Sequence, residues 1–117
     1  TMQKWTLSAI KKANAAAGFF YWEPGKDRVC RTHTLPYVYQ GPGGVYLVES
    51  VGLCNGLPCL AARVLRFDPV TGKIARSPLY HDNAVTLGAF RPNHIRDARK
   101  IASLCASEGA ARNVFTE

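Results

Sequence analysis

The run YQGPGGVYLVES, Tyr39 to Ser50, limits the fold more than any other part of the chain. Proline holds φ at about −65° and glycine accepts positive φ, so Pro42-Gly43 forces the backbone to turn. The spacing predicts a type II turn with Gly43 at its positive-φ position, and VYLVESVG as the strand that leaves it. A strand in that place argues against a phosphate cradle, the lesser of the two readings. A P-loop needs G-x-x-x-x-G-K-[ST] opening onto a helix, whose first amides and lysine hold the phosphates, and a dinucleotide loop has the same topology. GPGG lacks both the helix and the lysine, so it is read as a structural corner.

Two further corners repeat the pattern. FFYW at positions 19–22 and RVCRTHT at 28–34 flank EPGKD, and the Pro24-Gly25 pair predicts a hairpin between them. LAARVLRFDP and TGKIARSPLY flank the short turn from Asp68 to Gly72. Four or five antiparallel strands in sequence order follow.

Helices close both ends. Thr6 can accept from the free amides of a first turn, Trp5 and Ile10 can staple that turn, and Gly18 stops a helix built from LSAIKKANAAAG. Leu7, Ile10, Ala13 or Asn14, and Ala17 recur at helical spacing, leaving Lys11 and Lys12 toward solvent. From about Asn93 to Ser107, Ile95, Ala98, Ile101 or Ala102, and Cys105 form one stripe. Arg96, Arg99 and Lys100 form another, and Gly109 lies just beyond. The whole reads as a single α+β domain over residues 1–117: N-terminal helix, antiparallel meander of four to five strands, C-terminal amphipathic helix, with both helices expected on one face of the sheet.

Composition then narrows function. With 117 residues, 47% apolar and 20% charged, the chain can bury one core. No run approaches the roughly 18 apolar residues of a membrane helix, and no basic-then-apolar leader is visible, so an intracellular protein is expected, with no membrane partner. Fifteen Lys and Arg against eight Asp and Glu leave a formal charge of +7. That balance suits attraction to polyanions and argues against a protein that imitates DNA with rows of carboxylates.

Motifs for chemistry are weak. Cys30-x-x-His33 with Cys54 and Cys59 could on paper surround zinc, or Cys54 and Cys59 could pair, but the spacing matches no strong zinc signature. Free thiols suit a reducing compartment, and Cys105 falls on the apolar helix stripe as a small core residue. His81 beside Asp82 is read as a polar turn or cap. No G-x-S-x-G, H-E-x-x-H or paired-carboxylate arrangement appears, so no catalytic residue, metal or cofactor is assigned and the chain is not expected to be an enzyme.

WTLSAIKKANAAAGFFYWEP, VYQGPGGVYLVES and VLRFDPVTGKI together resemble a family of small uncharacterised proteins encoded by tailed bacteriophages. In that family an Ile-Lys-x-Ala-Asn-x-x-x-Gly helix precedes paired aromatics, followed by the YQGPGG segment and an F-D/N-P-x-T-G-x-I hairpin. The resemblance covers about residues 5–75; the segment from Ser77 to Lys100 and the cysteines near Cys54 depart from it. It implies a phage context, the host cytoplasm and a fold, and no catalytic residues.

Binding remains. A sheet covered on one face by both helices would leave the other open, carrying Tyr21 with Arg31, Arg63 or Arg66, and Arg76, a platform on which bases could stack. Arg96, Arg99 and Lys100 add a basic flank. Tyr, Trp and Arg are also the residues that anchor protein interfaces. The expected function is that of a phage accessory protein that binds and inhibits a host protein or ribonucleoprotein, an antiviral defence complex of the CRISPR-effector kind, without catalysis. The alternative is a basic nucleic-acid-binding α+β domain; the oligomeric state is left open.

Overall fold

The structure, a computed structural model, describes residues 3–23, 32–51, 61–77, 94–110 and 115. Helix α1, Leu7–Ala16, begins where Thr6 Oγ1 accepts the Ala9 amide at 3.2 Å. It ends at Ala17, and Gly18 follows at φ 88° as the left-handed stop. Ile10 and Asn14 are its buried positions, and Trp5 packs into the same apolar cluster as Ile10. Lys11 and Lys12 are exposed.

Five strands form one antiparallel sheet: β1 Thr32–Thr34, β2 Tyr39–Gly41, β3 Gly44–Val51, β4 Ala61–Phe67 and β5 Ile74–Arg76. β3, β4 and β5 succeed one another across the sheet. β1 pairs with residues 49–51 of β3 and β2 with residues 44–46, so the two lie end to end along one edge of β3. The turn to β5 is closed by Asp68, whose Oδ1 accepts the Val70 amide at 2.8 Å, and by Gly72 at φ 79°. Helix α2, His94–Glu108, completes the order, with Gly109 at φ 89° beyond its end. The chain is thus α+β, with a helix at each end of an antiparallel sheet.

The two helices cover opposite faces of the sheet, not one as expected. Tyr46 and Val48 of β3 join Ala62 and Val64 of β4 in a cluster with Ala98, Ala102 and Ala106 of α2. Val45 and Leu47, pointing the other way, join Leu65, Phe67, Ile74 and Ile10 of α1. All five residues from Val45 to Glu49 are therefore buried, as in strands covered on both sides. Each fully buried Val or Leu contributes about 1.5–3 kcal/mol, and both layers draw on β3 and β4.

FFYW is not a strand either. After α1 the chain turns, with Phe20 at φ 50°, the Phe19 amide bonded to Asn14 O and the Tyr21 amide bonded to Asn14 Oδ1 at 2.8 Å. Tyr21 and Trp22 both pack on the α1 face, and Trp22 Nε1 donates to Thr34 Oγ1 at 2.8 Å. Phe19 and Phe20 are left 40% and 42% exposed. The predicted turn at Pro24-Gly25 lies outside the described residues.

The GPGG corner joins β2 to β3, with Gly41 opposite Gly44. The positive φ, 125°, falls on Gly44 instead of Gly43. Gly43 serves the helix: its amide donates to Ala106 O in the last turn of α2 at 2.7 Å. A helix leaves its final carbonyls unpartnered, and the corner satisfies one of them while Gly109 N satisfies Cys105 O at 2.8 Å. Such an approach of backbone to backbone has no room for a side chain. A Cβ on Gly41 would stand 2.5 Å from Ala106 O. The corner binds the end of its own helix.

Candidate binding surface

The exposed stripe of α2 carries Arg96, Arg99, Lys100, Ser103 and Ser107, spaced so that they line one side of the helix. That side faces β2. There Tyr37 and Tyr39, two residues apart, both meet Arg99. The Arg99 guanidinium carbon lies 4.2 Å from the centre of the Tyr37 ring, a cation–π contact. Its Nε donates to Tyr39 Oη at 2.6 Å. That bond, with the tyrosine's charge as a second cause, raises the Arg99 pKa further, so the residue stays cationic at any working pH. Tyr39 packs against the α2 core cluster, whereas Tyr37 is 51% exposed. The guanidinium is therefore held by a half-buried hydroxyl and by the ring of an exposed tyrosine.

An open groove of about 530 Å³ runs beside this pair, lined by Tyr39, Ile95, Arg96, Arg99, Lys100 and Ser103. A second, of about 410 Å³, shares Tyr39 and Ser103 with it and continues past Gly41 and Pro42 to Ser107. Among the described residues no carboxylate lines either groove. Within the same set, Arg96 lies 3.8 Å from Asp97, an exposed contact worth little, and no carboxylate pairs with Arg99 or Lys100.

The other expected site residues go elsewhere. Arg63 stands opposite Glu49 across β3 and β4, with Nε 3.6 Å from Glu49 Oε2. Glu49 is 2% exposed, and its Oε2 also accepts Tyr21 Oη at 2.9 Å. Its Oε1, and Arg63 Nε, have no hydrogen-bond partner among the described residues. Burial first, and then the Glu49 charge and hydrogen bond, raise the Tyr21 phenol far above its usual value. Arg63, and then Arg76, lower it in part. Tyr21, Arg63 and Arg76 thus belong to the α1 face, where α1 and the aromatic loop pack, and no open sheet platform forms there. Arg66 points to the α2 face and stacks on Phe115, its guanidinium carbon 5.1 Å from the ring centre. Arg31 lies outside the described residues.

Sequence reasoning does not single out Tyr37, Tyr39 or Glu49. The first two sit at i and i+2, a spacing that puts side chains on one side of an extended chain. Glu49 is the one charged residue in β3, directly opposite an arginine in the register with β4.

Nucleophiles and metal ligands offer little. Cys105 is half-buried, and burial raises its thiol pKa, away from the reactive thiolate. Among the described residues no group of three or more His, Cys, Asp or Glu could hold a metal ion. Cys30, Cys54, Cys59 and His81 lie outside them. No described helix is long and apolar enough to cross a membrane. Comparison of the chain with protein-family models, with curated proteins and with solved structures gave no match.

Proposed function

We propose that this chain is a small phage accessory protein that binds and inhibits a host macromolecular target, an antiviral defence complex of the CRISPR-effector kind, and carries out no chemistry of its own. The phage context and the host cytoplasm come from the resemblance carried by residues 5–75. The binding role is supported by one observation above others: Arg99 is held between Tyr37 and Tyr39 within an exposed basic row. An anchor already fixed in its binding geometry loses little side-chain freedom on association, and arginine and tyrosine are among the residues most enriched where binding energy concentrates.

The test is biological. Host cells with active CRISPR interference, expressing this chain, are challenged with a phage that the system targets. Plating should rise with the wild-type chain and stay low with Arg96→Glu, Arg99→Glu and Lys100→Glu combined. No rise with the wild type, or full protection by the triple variant, overturns the reading.

A further inference from the structure

We propose that the trough between β2 and α2 is a binding site for single-stranded nucleic acid, with Tyr37 and Arg99 as its stacking platform. The inference rests on the binding surface assigned above and names what that surface grips.

The two ends of the trough differ in charge. Arg96, Arg99 and Lys100 gather at the start of α2, and the two grooves carry on past Ser103 to Ser107. From Arg96 to Ser107 the helix rises roughly 16 Å at about 1.5 Å per residue, the length of a few nucleotides. The basic end supplies phosphate contacts. Nε of Arg99 is taken by Tyr39, and the terminal guanidinium nitrogens, for which the described residues supply no carboxylate, are the donors suited to a phosphate.

The chemistry favours nucleic acid over an acidic protein. The trough has apolar walls at Ile95, Val38, Pro42 and Ala106, but its charged lining is cationic throughout, with Arg96, Arg99 and Lys100 and no carboxylate among the described residues, which suits a phosphate backbone. A half-exposed tyrosine ring backed by a guanidinium plane is the kind of surface on which unpaired bases stack. Bases inside a duplex are already stacked and cannot use it. Base stacking and phosphate contacts read no base edge, so binding should be tolerant of sequence.

The experiment is fluorescence anisotropy of the whole chain with labelled oligo-dT and oligo-U, the matching duplex, and a polyglutamate peptide. Single strands should bind more tightly than duplex or peptide. The logarithm of affinity should fall linearly with the logarithm of salt, and Arg96→Gln and Lys100→Gln should each shallow the slope by about 0.7. Tyr37→Ala, at a position 51% exposed and outside both core clusters, should weaken binding roughly 5- to 100-fold at unchanged salt slope. Lys12→Gln, on exposed α1, serves as the control for general charge.

Equal affinity for duplex or for polyglutamate overturns the proposal. So does indifference to Tyr37→Ala, or a Lys12→Gln effect as large as that of Lys100→Gln. Absence of oligonucleotide binding while the chain still protects phage removes this inference and leaves the inhibitory reading intact. Oligonucleotide binding without protection does the reverse.

Discussion

The backbone amide of Gly43 donates to the carbonyl oxygen of Ala106 at 2.7 Å, so the corner of one hairpin caps the end of the last helix. A Cβ on Gly43 would fall inside the van der Waals envelope of Cys105 O and Gly109 N, both backbone atoms with no rotamer to yield.

Gly43→Ala is therefore expected to cost more than Gly18→Ala. Gly18 has a positive φ of 88° but open space around its would-be Cβ, so alanine there meets only backbone strain, about 1–2 kcal/mol. At Gly43 the hairpin must move off the helix, breaking the cap as well, for about 3 kcal/mol or more. Urea midpoints of the two variants check the order. Equal midpoints would show that the helix end tolerates displacement.

The pair Glu49 and Arg63 gives a second prediction. Arg63→Leu leaves the Glu49 carboxylate buried without the arginine that stands opposite it, which should cost about 3 kcal/mol, the low end for a broken buried pair because 21% of the Arg63 side chain is exposed. Glu49→Leu combined with Arg63→Leu removes both charges and should cost less than Arg63→Leu alone. A double-mutant cycle in denaturant measures the coupling, and strict additivity would mean that the two groups act independently.

Tyr21 makes stability depend on alkaline pH. Its phenol is raised in the fold, so the folded protein binds that proton more tightly than the unfolded chain, where tyrosine titrates at about 10. The stabilisation is complete below about pH 10 and is lost as pH rises through the folded value, because the unfolded state releases the proton first. Denaturant midpoints followed from about pH 8 to 12 should fall more steeply for the wild type than for Tyr21→Phe. Parallel curves above about pH 10 would remove Tyr21 as the cause.

What the sequence reveals divides along the line between local and distant interactions. Thr6, Gly18 and Gly109 mark helix ends through contacts within a few residues, and the stripes of both helices follow from spacing alone, so α1, α2 and the basic flank are legible. So is the Asp68–Gly72 turn. FFYW misleads because aromatic β-propensity is a weak preference, and here the Asn14 side chain and Phe20 at φ 50° impose a turn instead. The number of covered faces misleads for a related reason. Val45 to Val48 is an unbroken apolar run, the mark of a strand buried on both sides, and Glu49 and Ser50 after it give the longer stretch a false look of alternation. The Arg99–Tyr39 bond joins residues 60 positions apart and has no sequence signature beyond the i, i+2 tyrosines.

Asn14 carries the last prediction, because it holds three elements together with one amide. Its Nδ2 donates to Gly72 O in the β4–β5 turn at 2.8 Å and its Oδ1 accepts from the Tyr21 amide at 2.8 Å, all at 1% exposure. Asn14→Ala removes the donor to the buried Gly72 carbonyl and the acceptor of the half-buried Tyr21 amide, each loss costing about 1–3 kcal/mol, so a total near 3 kcal/mol is expected. Asn14→Asp keeps the acceptor for Tyr21 but sets a carboxylate against the Gly72 carbonyl, and should destabilise at least as much. The two separate by hydrogen exchange. In Asn14→Ala the Tyr21 amide should exchange faster than global unfolding allows, since its acceptor is gone, whereas in Asn14→Asp it should stay protected to the global limit. Because Tyr21 brings its hydroxyl to Glu49 from this loop, Asn14→Ala should also weaken the measured coupling between Glu49 and Arg63. A stability change within about 0.5 kcal/mol of wild type for Asn14→Ala, the range of an ordinary surface substitution, would show that the loop is held by Trp22 and Thr34 without it.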